Sequence, residues 1–174
     1  MNEPSLEAVV LHLAEDGIRL AEDGIRLAED GIRHLHPTGQ QTVAARWDPE
    51  LDPHEAIVDT VAELGLKPFM VHSTSWRVER KLIVLTFLVA VERPERIPAA
   101  YEVELVARTE LARGYATGPP LHVHPSQVVE HGLRHLAWLV REDGAIHHAL
   151  EGWSRALSEY EPEPFRAFGR EPGP

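Results

Sequence analysis

Residues 52–66 read DPHEAIVDTVAELGL, and this stretch gives the clearest structural signal in the sequence. Asp52 belongs to the residue types that cap helix N-termini, and Pro53 suits the first helical position, where no N–H is needed. Gly65 suits the end of the helix, because glycine readily adopts the left-handed conformation that commonly follows a last turn. The pattern therefore predicts a helix that begins at Pro53. Its apolar stripe would consist of Ile57, Val61 and Leu64.

The sequence that follows this helix predicts three strands. Residues 69–76 read as a strand after Pro68, and residues 82–91 form a nearly unbroken apolar run rich in β-branched side chains. Such a run is typical of a central strand that is covered on both faces. Residues 101–107 alternate apolar with acidic side chains, which indicates a half-exposed strand.

The sequence that precedes the helix contains a perfect repeat. Leu-Ala-Glu-Asp-Gly-Ile-Arg occurs three times in succession over residues 13–33. Its apolar spacing does not fit a coiled coil, and a helix would carry one glycine per unit at about 1 kcal/mol each. Asp-Gly is a hairpin turn signal, so we expect a lengthened hairpin arm between strands near residues 9–13 and 32–35. A third strand is expected at residues 42–47.

The carboxyl-terminal part predicts two helices. Ser126 can cap the first, Asp143 and Gly144 interrupt the pattern, and the apolar periodicity resumes to Ser158. Residues 161–174 are rich in proline and are expected to form an irregular tail. The predicted fold is a single α/β domain over residues 1–160. Its mixed β-sheet is sandwiched by the first helix on one side and the helical hairpin on the other.

Composition excludes several classes of protein. The 174 residues include no cysteine, which rules out disulfide frameworks, thiolate zinc fingers and iron–sulfur clusters. The formal net charge of −11 opposes binding to nucleic acid or to an anionic membrane. No apolar run reaches the ~18 residues of a membrane span, and the first residues lack the basic start of a signal peptide. We therefore expect a cytoplasmic protein, and the 15 arginines against two lysines suggest a GC-rich bacterial genome.

Two histidine pairs have spacings that occur in metal sites. His122 and His124 lie two residues apart, and His131 and His135 lie one helical turn apart. No carboxylate completes either pair into a recognised motif, so no metal or cofactor is predicted from them. His131, His135 and Trp138 lie opposite the apolar stripe of their helix, and from this face we expect a homodimer formed through the helical hairpin.

One polar segment is the candidate ligand site. His72, Ser73, Ser75, Trp76 and Arg77 provide more hydrogen-bonding groups than a buried strand needs. Hydroxyl groups beside a guanidinium can hold a carboxylate or a phosphate, with the indole as a stacking wall. The alternative is a polar strand end at which Arg77 pairs with Glu79 or is solvated.

The order of the predicted elements, from the hairpin through the capped helix to the late strands, resembles the Nudix hydrolase fold. When the family's sequence box is aligned on its end at Gly65-Leu66, Glu50, Asp59 and Glu63 match three of its acidic positions. In that family clustered glutamates hold magnesium against a diphosphate. The resemblance therefore implies an α/β fold and a metal-dependent hydrolase of nucleoside diphosphate derivatives.

The box departs from the family pattern at three positions. Ala44 stands where the family has glycine, Val58 where it has arginine, and Ala62 where it has another glutamate. Val58 can neither pair with an acid nor donate a hydrogen bond from its side chain, and Ala62 cannot bind a metal. From the residues we therefore expect a non-catalytic domain that binds a small anionic ligand or a partner protein. The hydrolase is the alternative.

Overall fold

The computed structural model describes residues 5–14, 18–21, 24–27, 31–48, 50–79, 82–111 and 123–163. Contacts divide the chain into two compact units, Met1–Ala107 and Arg108–Pro174. The single domain over residues 1–160, with its helices on opposite sides of the sheet, stays a prediction. The two units are described separately.

The first unit contains a mixed sheet and one helix. The helix is α1 (Pro53–Glu63), and the strands are β1 (Ser5–Ala14), β2 (Ile18–Ala21), β3 (Gly24–Leu27), β4 (Gly31–Pro37), β5 (Val43–Ala45), β6 (Pro68–Glu79), β7 (Leu82–Val91) and β8 (Tyr101–Leu105). The main sheet has the order β6-β7-β1-β4-β8, with β5 also paired to β1. Strands β1 and β7 are parallel and the other pairs are antiparallel, which confirms the predicted mixed sheet of an α/β fold.

The core of this unit lies between α1 and one face of the sheet. Ile57 and Val61 are the fully buried residues of the helix, as its apolar spacing predicted, although Leu64 is only partly buried. The sheet contributes Leu6, Ala8, Val10, Leu35, Val43, Phe87, Val89 and Val91. The apolar run of β7 is buried over its last six residues, and this confirms its central position.

Both ends of α1 confirm their sequence signals. The Asp52 carboxylate accepts a hydrogen bond from the His54 N–H at 2.8 Å, which satisfies one of the unpaired donors of the first turn. Gly65 follows the helix with a φ of 76°, in the left-handed region that glycine adopts without steric cost.

The repeat lies between β1 and β4. Two of its segments, β2 and β3, pair antiparallel with each other, from Ile18 opposite Leu27 to Ala21 opposite Gly24. This register continues the one in which β1 pairs with β4, where Ala14 lies opposite Gly31. Within the described residues, β2 and β3 have no other strand neighbour. The lengthened hairpin arm stays a prediction, because residues 15–17 and 28–30, which join the two strand pairs, lie outside the described residues.

The second unit is helical. It contains α2 (Pro125–Glu142), α3 (Gly144–Ala149) and α4 (Ser154–Leu157), with a 3₁₀ turn over residues 151–153. The last predicted helix is therefore broken into three short pieces, of which α3 and α4 contact α2. The predicted cap was also wrong, because the His124 imidazole accepts from the Ser126 N–H at 3.3 Å and takes the N-cap role. No helix of the described residues combines the length and apolar character needed to cross a membrane.

A buried ion cluster fixes the start of the second unit to its helices. Glu130 is fully buried in α2, and its carboxylate accepts from the Arg134 Nε at 2.8 Å and from Arg108 at 3.0 Å. Arg108 also lies 4.2 Å from the ring centre of Tyr160. The two guanidinium groups satisfy the charge and the lone pairs of the buried Glu130 carboxylate, so this cluster has a structural role.

Candidate functional site

The predicted polar segment lies on β6, at one edge of the main sheet. A register shift between Ser73 and Ser75 interrupts the alternation of the strand. As a result His72, Ser75 and Arg77 share one face, while Ser73 and Trp76 share the other. Simple alternation along a regular strand predicts a different grouping, in which Trp76 shares a face with His72 and Ser75 lies on the other face. A β-bulge, which inserts one extra residue in a strand, is the physical reason for this correction.

Arg77 is held by acceptors of the protein itself. Its Nη2 donates to Glu7 at 2.9 Å and to Glu79 at 3.1 Å, and its Nε donates to Glu79 at 3.3 Å. Its Nη1 donates to the Thr86 hydroxyl at 3.1 Å and also to Glu7. A guanidinium has five N–H donors, and all five have an acceptor here. An anion could therefore bind Arg77 only by displacing one of these groups.

Glu7 is the buried partner in this cluster. It lies on β1, and it also accepts from the hydroxyls of Thr86 at 2.6 Å and Thr42 at 3.0 Å. Burial alone would raise the pKa of Glu7, but hydrogen bonds from Arg77 and Thr86 and the Arg77 charge lower that pKa below its ordinary value of 4.5. Glu7 is thus ionised at neutral pH, and the pair holds β6, β7 and β1 together.

The other face of β6 carries an exposed apolar patch. We define the β6 patch as Trp76, Val78 and Ile83, whose exposed fractions are 53%, 57% and 49%. Val78 lies directly opposite Ile83 in the pairing of β6 with β7, and Trp76 is the next residue of β6 on the same face. Within the described residues no strand pairs with the outer edge of β6. The patch therefore lies beside an edge that no strand of the described residues covers.

The acids that match the Nudix box do not form a cluster. Asp59 and Glu63 are exposed on α1, and Glu50 is exposed before it. Within the described residues, the one group of three side chains placed to share a metal ion lies elsewhere, at His34, His36 and Glu104.

His34 and His36 lie on β4, and Glu104 lies opposite His34 on β8. The two imidazoles are 2% and 3% exposed, and their ring centres are 4.9 Å apart. The Glu104 Oε1 lies 3.5 Å from the His36 Nε2 and 4.0 Å from the His34 Nδ1. Burial, with the charge of His36, lowers the pKa of His34 to about 4 against the effect of a backbone hydrogen bond at Gln41. The His34 ring is therefore neutral at pH 7.

Sequence reasoning missed this group, although a signal was present. His34 and His36 have the same two-residue spacing as His122 and His124, which were considered for a metal site. In a strand this spacing places both rings on one face. The third group, Glu104, is far away in sequence and is brought close only by the β4–β8 pairing.

The histidine pairs considered from the sequence have other surroundings. His122 lies outside the described residues, and His124 caps α2. On α2, His135 is 3% exposed and stacks on Trp138 with ring centres 5.7 Å apart. Of the face that we expected to form a subunit contact, His135 is buried, whereas His131 and Trp138 are partly exposed.

An open groove of about 500 Å³ lies at the end of α1. Its lining contains Lys67, Arg93 and Arg96 but also Glu92 and Glu95. Lys67 and Glu92 are 3.5 Å apart as an exposed ion pair. The three cations exceed the two carboxylates by one, and Lys67 is paired with Glu92, so the groove has little net positive charge to attract an anion.

The chain has a distant likeness to a solved structure. It resembles a crystal structure from Chromobacterium violaceum that is provisionally assigned to the Nudix hydrolase family, with 14% identity and a TM-score of 0.42. The alignment covers 91% of this chain and 96% of the other. The resemblance is weak and lies at the level of the fold. No family model matches the sequence, and no curated protein matches it.

Proposed function

We propose that this chain is a non-catalytic binding domain whose ligand is a segment of a partner protein. The observation that carries the proposal is the β6 patch beside the open edge of β6. An extended segment added to this edge would pair with backbone groups of β6 beside Trp76 and Val78. Its alternate side chains would cover Trp76 and Val78, which is the general mode of strand addition.

The sequence next to the patch indicates the chemistry of the partner segment. Arg80 and Lys81 separate β6 from β7, and they are two of only 17 basic residues in a chain of net charge −11. A segment with apolar residues at alternate positions and an acidic flank would complement this arrangement. Exposed tryptophan is also among the residue types that dominate binding energy at protein interfaces.

A small anionic ligand, the other expected class, is less well supported. Arg77 has all five donors engaged, and Trp76 lies on the opposite face of the strand. An anion that displaced the exposed Glu79 would still meet the negative charge of Glu7 on the same guanidinium. The protein's own carboxylates thus occupy the position that the anion would take.

The hydrolase alternative has a narrower basis. It rests on Glu50, Asp59 and Glu63 together with the distant fold likeness. All three acids are exposed, and the chain has valine at position 58, where the family has arginine. Magnesium can be held by one or two carboxylates when substrate phosphates complete its shell. Hydrolysis also needs a positioned base, and the changes at Val58 and Ala62 remove the groups that would orient it or bind the metal.

Selection of displayed peptides against the full-length protein tests the proposal. Enriched peptides should have alternating apolar residues with an acidic flank, and binding should slow amide hydrogen exchange in β6. Trp76→Ser should weaken these peptides by about 30-fold, the effect of losing about 2 kcal/mol at an interface hot spot. Leu51→Ser removes another exposed apolar side chain, and this control should leave affinity unchanged.

Three outcomes would overturn the proposal. They are a selection that yields no enriched peptide, peptides that bind Trp76→Ser as tightly as the parent protein, and self-association of the chain through β6 that blocks the edge.

We also propose, as separate expectations, a cytoplasmic location and a homodimer. Sedimentation at micromolar concentration, compared with the Trp138→Ala variant, tests the dimer and its location on the helical unit.

A further inference from the structure

Three potential metal ligands converge on the sheet face at β4 and β8. The two-residue period of β4 places His34 and His36 on one face, and the antiparallel pairing places Glu104 directly opposite His34. One ligand atom from each side chain lies within 4.8 Å of the other two. Backbone pairing of β4 with β8 fixes the positions of all three residues, so the sheet itself brings their side chains together.

The hydrogen bonding of His36 leaves an electron pair facing the carboxylate. Its Nδ1 lies 3.2 Å from the Pro37 carbonyl oxygen, which can only accept, so Nδ1 carries the ring proton. In the neutral ring the Nε2 then has a lone pair, and this buried atom has no hydrogen-bond partner. It lies 3.5 Å from the negatively charged Glu104 Oε1. A cation placed between these two atoms would therefore have a ligand on each side.

His34 brings a third potential ligand to the same place. Its Nε2 is also buried without a hydrogen-bond partner, and its Nδ1 lies 4.0 Å from the same Glu104 oxygen. A single proton bridges two atoms, whereas a metal ion binds three or more. We propose that His34, His36 and Glu104 bind a divalent transition-metal ion of the zinc class.

The donor set determines the class of metal. Two imidazoles with one carboxylate suit zinc and the neighbouring first-row transition metals, whereas magnesium and calcium prefer oxygen ligands alone. Zinc bound at about 2.0–2.1 Å in tetrahedral geometry sets ligand atoms about 3.4 Å apart. The Glu104 oxygen lies 3.5 Å from His36 and 4.0 Å from His34, and its side chain is 55% exposed and so can move toward both rings. The Pro37 carbonyl oxygen, which accepts a hydrogen bond from the His36 Nδ1, would orient the His36 ring as a metal ligand.

This site is independent of the β6 patch. It joins the edge strand β8 to β4, at the opposite edge of the sheet from β6. Three protein ligands leave at least one coordination position for water or a further ligand. Because the metal would bind the folded chain and not the unfolded one, its binding should raise the melting temperature.

Zinc titration of the full chain, prepared without a histidine tag, tests the site. We expect saturable binding of one zinc ion per chain, and magnesium in excess should not compete. Glu104→Gln should weaken binding by at least about 100-fold, the upper end of what the loss of an outer partner costs, because it removes a ligand itself. The variant should stay folded because residue 104 is exposed. His36→Asn should weaken binding at least as much, with circular dichroism as the check on its fold.

Glu102→Gln is the matched control. Glu102 lies on the same strand and face as Glu104, opposite His36, and is exposed, but it is not part of the three-ligand group. Its substitution should leave zinc affinity within about threefold, the change expected from one screened surface charge. The proposal is overturned if the parent chain shows no saturable zinc binding. Equal weakening by Glu102→Gln and Glu104→Gln would also overturn it, as would full affinity in Glu104→Gln.

Discussion

At the scale of single residues, Arg77 shows how the environment of a side chain decides its role. The sequence presents it among hydroxyl groups, as in an anion site, and the structure engages all its donors with Glu7, Glu79 and Thr86. Glu79, two residues away, was foreseeable as a partner. Glu7 was not, because it is 70 residues away and reaches Arg77 only through the order of the strands.

Arg77→Met should destabilise the protein by about 3 kcal/mol, because it leaves the buried Glu7 carboxylate without its cation. Glu79→Gln removes the exposed partner of the same guanidinium, and its cost should stay below about 1 kcal/mol. Urea unfolding of both variants measures the two values. Similar small costs would show that Glu7 is adequately satisfied by hydroxyl groups alone.

The lowered pKa of Glu7 gives a pH dependence. The ionised carboxylate stabilises the folded state fully above its unfolded pKa, and this contribution is lost as pH falls through the lower folded pKa. The free energy of unfolding of the parent protein should therefore exceed that of Glu7→Gln by a constant amount from pH 7 down to about 5. The difference should shrink below about pH 4.5, and a difference that persists unchanged in acid would contradict this assignment.

At the scale of elements, local signals predicted α1 better than any other part. Its cap and its terminal glycine act within a few residues, so they can be read directly from the sequence. The β6 bulge and the breaks after α3 depend on packing with distant residues, and no local signal marks them. The His124 cap was missed because Ser126, a commoner capping type, follows it closely.

Gly65→Ala tests the end of α1. Alanine in the left-handed region should cost about 1 kcal/mol, since its Cβ meets the adjacent backbone. Gly144→Ala is the control. A methyl group at either glycine would meet no atom within 4 Å apart from its own residue, the adjacent residues and, at Gly144, nearby helix backbone, but only Gly65 has a positive φ. The control should change the free energy of unfolding by less than about 0.5 kcal/mol. Equal effects in thermal or urea unfolding would mean that Gly65 is not held in this conformation.

At the scale of the whole molecule, the mixed sheet was predictable and its strand order was not. The apolar run of β7 indicated a central strand, but the parallel pairing of β1 with β7 joins residues about eighty positions apart. Pairings of this kind are determined by the global packing of the chain rather than by local pattern. For the same reason, the sequence did not predict that Glu104 lies beside His34 and His36.

The hairpin extended by the repeat should be dispensable for folding. Deleting residues 14–27 removes two whole units and joins Leu13 to the remaining Ala-Glu-Asp-Gly turn before Ile32. Leu13 and Ile32 are already paired, so the shortened hairpin keeps its register. The melting temperature should change by only a few degrees, because loop length affects stability weakly. Insolubility of the deletion variant, or a much lower melting temperature, would show that the repeat packs into the core.

Our main proposal is that this chain binds a partner and does not catalyse hydrolysis. The most direct test is turnover of nucleotide sugars, dinucleotides and oxidised nucleotides by the full chain with magnesium or manganese. We predict no release of phosphate or nucleotide above background, because Val58 and Ala62 remove two of the groups that the reaction needs. Metal-dependent turnover that disappears in a folded Glu63→Gln variant would contradict the account and establish the chain as a hydrolase.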